Sequence, residues 1–142
     1  MTETRRIRRD EWECHWPRIS ADLDRIPQFW SDYWTKDFIN EAVMTERWQA
    51  WGFGAQEGNL NVIVLTQVCE FPANRFLQIP LAFGNSLDDC LPSIMAALEK
   101  FAIVAECDVC EVIGRPGWER KLPQFSRYAV MLKARVPKIG VH

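Results

Sequence analysis

Two histidines, no long apolar run and almost no net charge set the first limits on this chain. A helix that crosses a bilayer takes about 20 consecutive apolar residues. No stretch here reaches that length, so no membrane partner is expected. The opening Met1-Thr2-Glu3-Thr4-Arg5-Arg6 lacks the apolar core of a secretion signal, so the protein is not expected to be secreted. Its five cysteines are accordingly expected to be reduced packing residues. Cys107-Asp108-Val109-Cys110 has CxxC spacing, but it has no second pair, and His15 and His142 are remote in sequence. It reads as two semi-buried thiols where a helix passes into a strand, and no metal is expected. A net charge of −2 gives no general attraction to nucleic acid. Basic residues do gather at Arg5, Arg6, Arg8 and Arg9, and again from Arg115 to Arg135. Asp10, Glu11 and Glu13 follow the first group directly, which marks a solvated strand or arm. With no matching recognition motif either, nucleic acid is not an expected partner.

What is present is an ordinary globular composition, 48% hydrophobic and 25% charged over 142 residues. That length suits one domain spanning residues 1–142 and excludes a disordered chain. There is no internal repeat, low-complexity stretch or linker. Six of the seven tryptophans fall in the first 51 residues: Trp12, Trp16, Trp30, Trp34, Trp48 and Trp51. Such residues close a loop-rich region over a core or, if exposed together, form a protein–protein surface.

The pattern along the chain predicts a first strand over residues 4–9 with Ile7 inward. A short helix capped by Ser20 follows, through Leu23 and Ile26, and is interrupted near Pro27. A second helix starts from a Thr35 cap, with Asp37 in its first turn and Trp34 stapled onto Ile39, and runs to about Arg47. Residues 48–53 and 60–69 read as strands, the latter a β-branched run covered on both faces. Residues 75–83 alternate, with Leu77, Ile79, Leu81 and Phe83 expected on one side. Pro80 in that strand implies an edge, a bulge or a splayed neighbour. A long helix opened by Asn85 or Ser86 carries Asp88 and Asp89 in its first turn. Pro92 implies either a kinked first turn or a regular start only near Leu91. The stripe Ile94, Leu98, Phe101, Ala102 and Ala105 packs on the core. Residues 109–113 form a short strand, Pro116 starts a brief helix through Trp118 and Leu122, and residues 127–136 form a closing strand.

This order of elements is α/β, with an antiparallel first half and one parallel crossover from residues 75–83 to 109–113. It resembles the GNAT (Gcn5-related N-acetyltransferase) superfamily over nearly the whole chain. The residue-level likeness lies within residues 75–136. There the helix leading into Cys107-Asp108-Val109-Cys110-Glu111-Val112-Ile113-Gly114-Arg115-Pro116-Gly117-Trp118-Glu119-Arg120-Lys121-Leu122 and on to Phe125 looks like small GNAT-like proteins of tailed bacteriophages and prophages. The resemblance implies a single GNAT-like domain: a mixed, mostly antiparallel central sheet, a parallel fourth/fifth strand crossover and helices on both faces. It also implies a setting in the host cytoplasm or the virion, with other phage or host proteins, or further copies of the chain, as partners.

GNAT enzymes hold the acetyl-CoA pyrophosphate on backbone N–H groups of a Gly-rich loop, (Arg/Gln)-x-x-Gly-x-(Gly/Ala), opening the helix after the fourth strand. The matching stretch is Phe83-Gly84-Asn85-Ser86-Leu87-Asp88-Asp89-Cys90, with one glycine, no initial Arg or Gln, and two carboxylates in the first turn. Each like charge at ~4–6 Å opposes a phosphate by about 1 kcal/mol near a surface. A degenerate site with no cofactor is therefore expected. If acyl-CoA does bind, Leu81, Phe83, Gly84, Asn85 and Ser86 would contact it. The resemblance implies a carboxylate base and a tyrosine acid; the candidates are Glu70, at a turn near the strand ends, and Tyr128, since the helix after the fifth strand offers Trp118 in place of a tyrosine. Arg115, Trp118 and Arg120 are the candidate ligand or partner residues. Arg115 would reach a phosphate or carboxylate while Trp118 walls a cleft, or Gly114, Pro116 and Gly117 serve the turn while Trp118 plugs the core. The sequence thus predicts an interaction protein on a GNAT-like frame; the alternative is an active N-acetyltransferase with a non-standard cofactor loop.

Overall fold

The computed structural model describes residues 3–54, 60–85, 87–113, 118–127 and 131–138. The chain runs β1 (Glu3–Arg6), α1 (Arg9–Leu23), a 3₁₀ turn (Pro27–Phe29), α2 (Lys36–Met44), β2 (Trp48–Gly54), β3 (Val62–Glu70), β4 (Arg75–Gly84), α3 (Leu87–Val104), β5 (Val109–Val112) and α4 (Trp118–Lys121). The sheet order is β1-β2-β3-β4-β5. Its first four strands are antiparallel neighbours, and β5 lies parallel to β4 after the α3 crossover. The result is the expected α/β domain with helices on both faces. β3 is its centre, because Val62, Ile63, Val64 and Leu65 are all buried, and β-branched residues suit a strand covered on both sides. Ile63 and Leu65 pack under α1 and α2, and Val62 and Val64 pack under α3.

β4 does not keep one face. Leu65 pairs with Leu81 but Gln67 pairs with Gln78, so β4 takes three residue steps where β3 takes two. The extra residue is a β-bulge containing Pro80, which has no N–H to offer a ladder. Beyond it the side chains change faces. Leu77 and Ile79 join the α3-side core, while Leu81 and Phe83 join the α1/α2-side core. The expectation that all four share one side is corrected by that inserted residue.

The helices differ from expectation mainly at their ends. Ser20 caps nothing: it sits in the last turn of α1, where its carbonyl accepts from the Asp24 N–H at 3.3 Å. α1 starts at Arg9, with Asp10 and Glu11 in its first turn, and continues through Pro17. An interior proline costs about 3 kcal/mol. Burying Trp12, Ile19 and Leu23 on the sheet returns about 1.5–3 kcal/mol for each large apolar side chain, so packing wins. The Trp12 indole also donates to Asn40 Oδ1 at 2.8 Å, tying α1 to α2. α2 has the expected Thr35 cap, whose Oγ1 accepts from the Phe38 N–H at 3.1 Å. It stops at Met44, short of Arg47, because Glu46 adopts φ 61° and turns the chain out. α3 is helical from Leu87, before Pro92, and buries Ile94, Leu98 and Ala102.

The closing strand expected over residues 127–136 is not formed among the described residues. Residues 131–138 are exposed and carry no strand. Arg135 and Lys133 instead reach back to Asp32 in the loop before α2, so ion pairing with a distant loop takes the place of a ladder. The turns read over residues 55–59 and 114–117 lie outside the described residues.

Candidate functional site

The parting of β4 and β5 organises the candidate site. The two strands pair from Phe76↔Val109 to Ile79↔Val112, where β5 ends. β4 continues past the Pro80 bulge to Gly84, held on its other side by β3 from Leu65↔Leu81 to Val62↔Gly84. α3 begins at Leu87, just beyond that end of β4. The notch is therefore bounded by the last turnless residues of β4, the first turn of α3, and α4 packed beside it.

What stands at the first turn of α3 is acidic. Asp88 is half-buried, and its Oδ1 accepts from the Trp118 indole Nε1 at 2.9 Å. Asp89 is exposed. Trp118 and Leu122 are buried among Leu87, Leu91 and the rest of the α3-side core. Carboxylates in a first helical turn are favoured by the helix dipole, and here one of them also satisfies a buried indole. Gly84 has φ +133°, and a Cβ there would lie 2.1 Å from the Asn61 carbonyl oxygen. The Asn85 N–H donates to the same oxygen at 2.9 Å. The glycine is thus required by a close approach to β3, independently of any phosphate.

One strand step before the parting, a line of hydrogen bonds crosses the sheet. The Trp48 indole donates to Gln67 Oε1 at 2.9 Å, Gln67 Nε2 donates to Gln78 Oε1 at 3.1 Å, and Gln78 Nε2 donates to Glu111 Oε1. Every donor points toward β5, so successive amides polarise one another toward the Glu111 carboxylate. Cys69 also donates to Gln78 Oε1, at 3.1 Å, and burial raises its thiol pKa. On the opposite face, burial pushes the Cys110 thiol up to about 11. Cys107 and Cys110 both pack against the α3-side core. Among the described residues no group of three His, Cys, Asp or Glu side chains is placed to hold a metal ion, and no helix is long and apolar enough to cross a membrane.

No protein-family model matches the sequence, and no curated protein matches it significantly. Solved structures do. A GCN5-related N-acetyltransferase from Ralstonia eutropha JMP134 superposes with a TM-score of 0.66 at 13% identity, over 95% of this chain and 99% of that one. A ribosomal-protein-alanine N-acetyltransferase from Brucella melitensis biovar Abortus 2308 gives 0.62 at 16% identity, over 99% and 100%. A predicted acetyltransferase from Clostridium acetobutylicum, solved with acetyl-CoA, gives 0.64 at 12% identity, over 95% and 96%. The fold is that of the GNAT acetyltransferases.

On this GNAT fold the residues singled out from sequence take the following places. Leu81 and Phe83 are buried in the α1/α2-side core, so only their backbone faces the notch. Gly84 and Asn85 end β4 as described, and Ser86 lies outside the described residues. Glu70 is not in the turn but is the exposed last residue of β3, opposite Arg75 in the ladder and ion-paired with it. Tyr128 and Arg115 lie outside the described residues, and Arg120 is exposed on α4. Trp118 is the buried indole on Asp88. The structure therefore brings Trp118 together with Asp88, and leaves Glu70 in a local ion pair. Sequence reading passed over Glu111 and Gln78. The signal was a carboxylate inside a four-residue strand, but its meaning depends on a β4 partner 33 residues away. A cleft of about 670 Å³ on the β1–β2 side, lined by Arg6, Arg9, Glu13, Met44, Glu46 and Trp48 among others, mixes charges of both signs and stands apart from this notch.

Proposed function

We propose that this chain is a GNAT-fold protein that acts by binding other proteins and has lost the acyl-CoA site of its fold. The phage-type likeness of residues 107–125 points to a tailed-phage or prophage protein, working in the virion or against host proteins, as a monomer or a homo-oligomer. The observation that carries the reading is Asp88 at the first turn of α3, fixed by the Trp118 indole at 2.9 Å. A pyrophosphate at that helix end would meet a carboxylate where it needs free N–H groups, with Asp89 beside it. The one glycine of the loop is accounted for by its contact with Asn61. These residues do not fit the group, and no step through acetyl-CoA is derived.

Calorimetric titration with acetyl-CoA tests the reading: no heat of binding is expected up to millimolar ligand. A micromolar dissociation constant would overturn it. The virion setting would be overturned by absence of the protein from purified particles.

A second reading, an active N-acetyltransferase, is favoured by Glu111. It is an exposed carboxylate on the strand that parts from β4, held in place by the Gln78 amide, and a positioned carboxylate is what deprotonation of an acceptor amine needs. Acetyl-CoA binding accompanied by amine acetylation that Glu111→Gln reduces about 100-fold would establish it.

A further inference from the structure

The loop before α2 holds part of the chain's own tail, and the two sides of that contact are built differently. The loop is rigid. Tyr33 N donates to the Trp30 carbonyl at 2.9 Å, Trp34 N to the same carbonyl at 3.1 Å, and Ser31 N to the Pro27 carbonyl at 2.9 Å. The buried Trp30 indole donates to the Leu23 carbonyl at 2.9 Å. Trp34 stands edge-on to Trp48 at 5.0 Å, which seats the loop on β2. Among the described residues the tail has no comparable framework. Between described residues, no backbone hydrogen bond joins residues 131–138 to the rest of the molecule, and all eight are exposed.

Three alternate tail residues make the contact. Arg135 hydrogen-bonds Asp32 Oδ1, Lys133 Nζ lies 3.7 Å from Asp32 Oδ2 and 4.2 Å from the Tyr33 ring centroid, and Tyr33 O–H donates to Met131 Sδ at 3.6 Å. Leu132 and Val136, between and beyond them, are 89% and 86% exposed. That two-residue period is that of an extended peptide read from one side. The reading groups are an acid for two cations, an aromatic face for an ammonium, and a hydroxyl beside a thioether. Arg135's hydrogen bond, with Lys133 beside it, holds the Asp32 carboxyl below its ordinary range.

We propose that loop residues 30–34 form a recognition site for an extended basic segment of a partner protein, of the pattern apolar-x-Lys-x-Arg, with the chain's own Met131, Lys133 and Arg135 as its resident, exchangeable occupant. The asymmetry supports this: a preorganised receptor loses little on binding, whereas an occupant whose contacts among the described residues are all made by exposed side chains is readily displaced. The inference does not depend on whether acetyl-CoA binds at β4.

The test uses the full chain and a fluorescein-labelled peptide with the sequence of residues 131–138. The tethered tail competes at a roughly millimolar effective concentration, so the Lys133→Ala/Arg135→Ala variant should bind the peptide at least about tenfold more tightly than wild type. Adding Asp32→Asn to that variant should cancel the gain, a peptide with glutamate in place of both cations should not bind, and raising salt should weaken binding as charge screening requires. Circular dichroism confirms that each variant is folded. Equal affinity for wild type and the opened variant, or indifference to Asp32→Asn, would overturn the proposal. Concentration-dependent dimers of wild type that Asp32→Asn abolishes would assign the site to the tail of a second copy and overturn the partner reading.

Discussion

Asp88 and Asp89 separate two effects that a single charge-to-neutral change can pull apart. Asparagine at both positions keeps an oxygen for the Trp118 indole but removes both negative charges from the helix end. Two like charges near a bound phosphate cost about 1 kcal/mol each at a surface, so the double variant should bind acetyl-CoA roughly 30-fold more tightly than wild type, with a melting temperature little changed. Calorimetry checks this; unchanged affinity would mean that loop shape, and not charge, keeps the cofactor out. Glu11 offers a different test. Its carboxyl accepts from Arg5 at 2.7 Å, and that hydrogen bond, opposed by burial, lowers its pKa below the ordinary 4.5. A lowered folded pKa gives stability that is complete above about 4.5 and lost as pH falls through the folded value. Glu11→Gln should therefore cost about 0.5–1 kcal/mol at pH 7, a few degrees in melting temperature. The difference from wild type should shrink as pH falls through the lowered folded value, below which the wild-type carboxyl is protonated in both states; a difference that persists there would trace to packing.

The elements are set by short-range signals except where a register or a distant charge intervenes. Beyond the last residue of α3, Val104, the chain turns at Glu106 with φ 59°, with Glu106 N donating to the Ile103 carbonyl at 3.1 Å and Cys107 N to the Ala102 carbonyl at 2.8 Å. That helix end favours glycine, so Glu106→Gly should stabilise the protein by about 0.5–1 kcal/mol in urea unfolding. Gly84→Ala should do the opposite, by about 3 kcal/mol or more, since its Cβ would overlap the Asn61 carbonyl in a strained backbone conformation. The Thr35 cap, the β-branched run of β3 and the α3 stripe were legible because each depends on residues within a few positions. Pro17 masked the true start of α1, although Trp12, Trp16, Ile19 and Leu23 already repeat at helical spacing. Pro80 announced an irregular β4, but only the pairing with Gln67 and Leu65 shows which side chains change faces. In sequence the tail reads as a strand over residues 127–136, while the destination of residues 133 and 135 depends on Asp32, 103 residues from Arg135. The acidic helix end could be read directly; Glu111 could not, because nothing local in its strand predicts Gln78 beside it.

At the scale of the whole molecule the decisive fact is that two cores share one sheet. β3 gives Ile63 and Leu65 to the α1/α2 side and Val62 and Val64 to the α3 side. Neither core can lose its floor without removing that of the other, so cooperative unfolding is expected. The tryptophans make this measurable: Trp12, Trp30 and Trp48 report one side, and Trp51 and Trp118 the other. Leu65→Ala and Leu98→Ala each open a cavity at a fully buried site and should each cost about 2–5 kcal/mol. Both should lower the urea midpoint without changing the slope of free energy against denaturant, with tryptophan fluorescence and far-ultraviolet circular dichroism following one curve. If Leu98→Ala instead split the transition, with Trp51 and Trp118 reporting an earlier step than Trp12, the α3 layer would be a separable unit resting on a sheet that stands without it. The notch beside Asp88 would then be open in a partly folded state, and the acidic helix end could no longer be taken as fixed against Trp118 at the moment a ligand arrives.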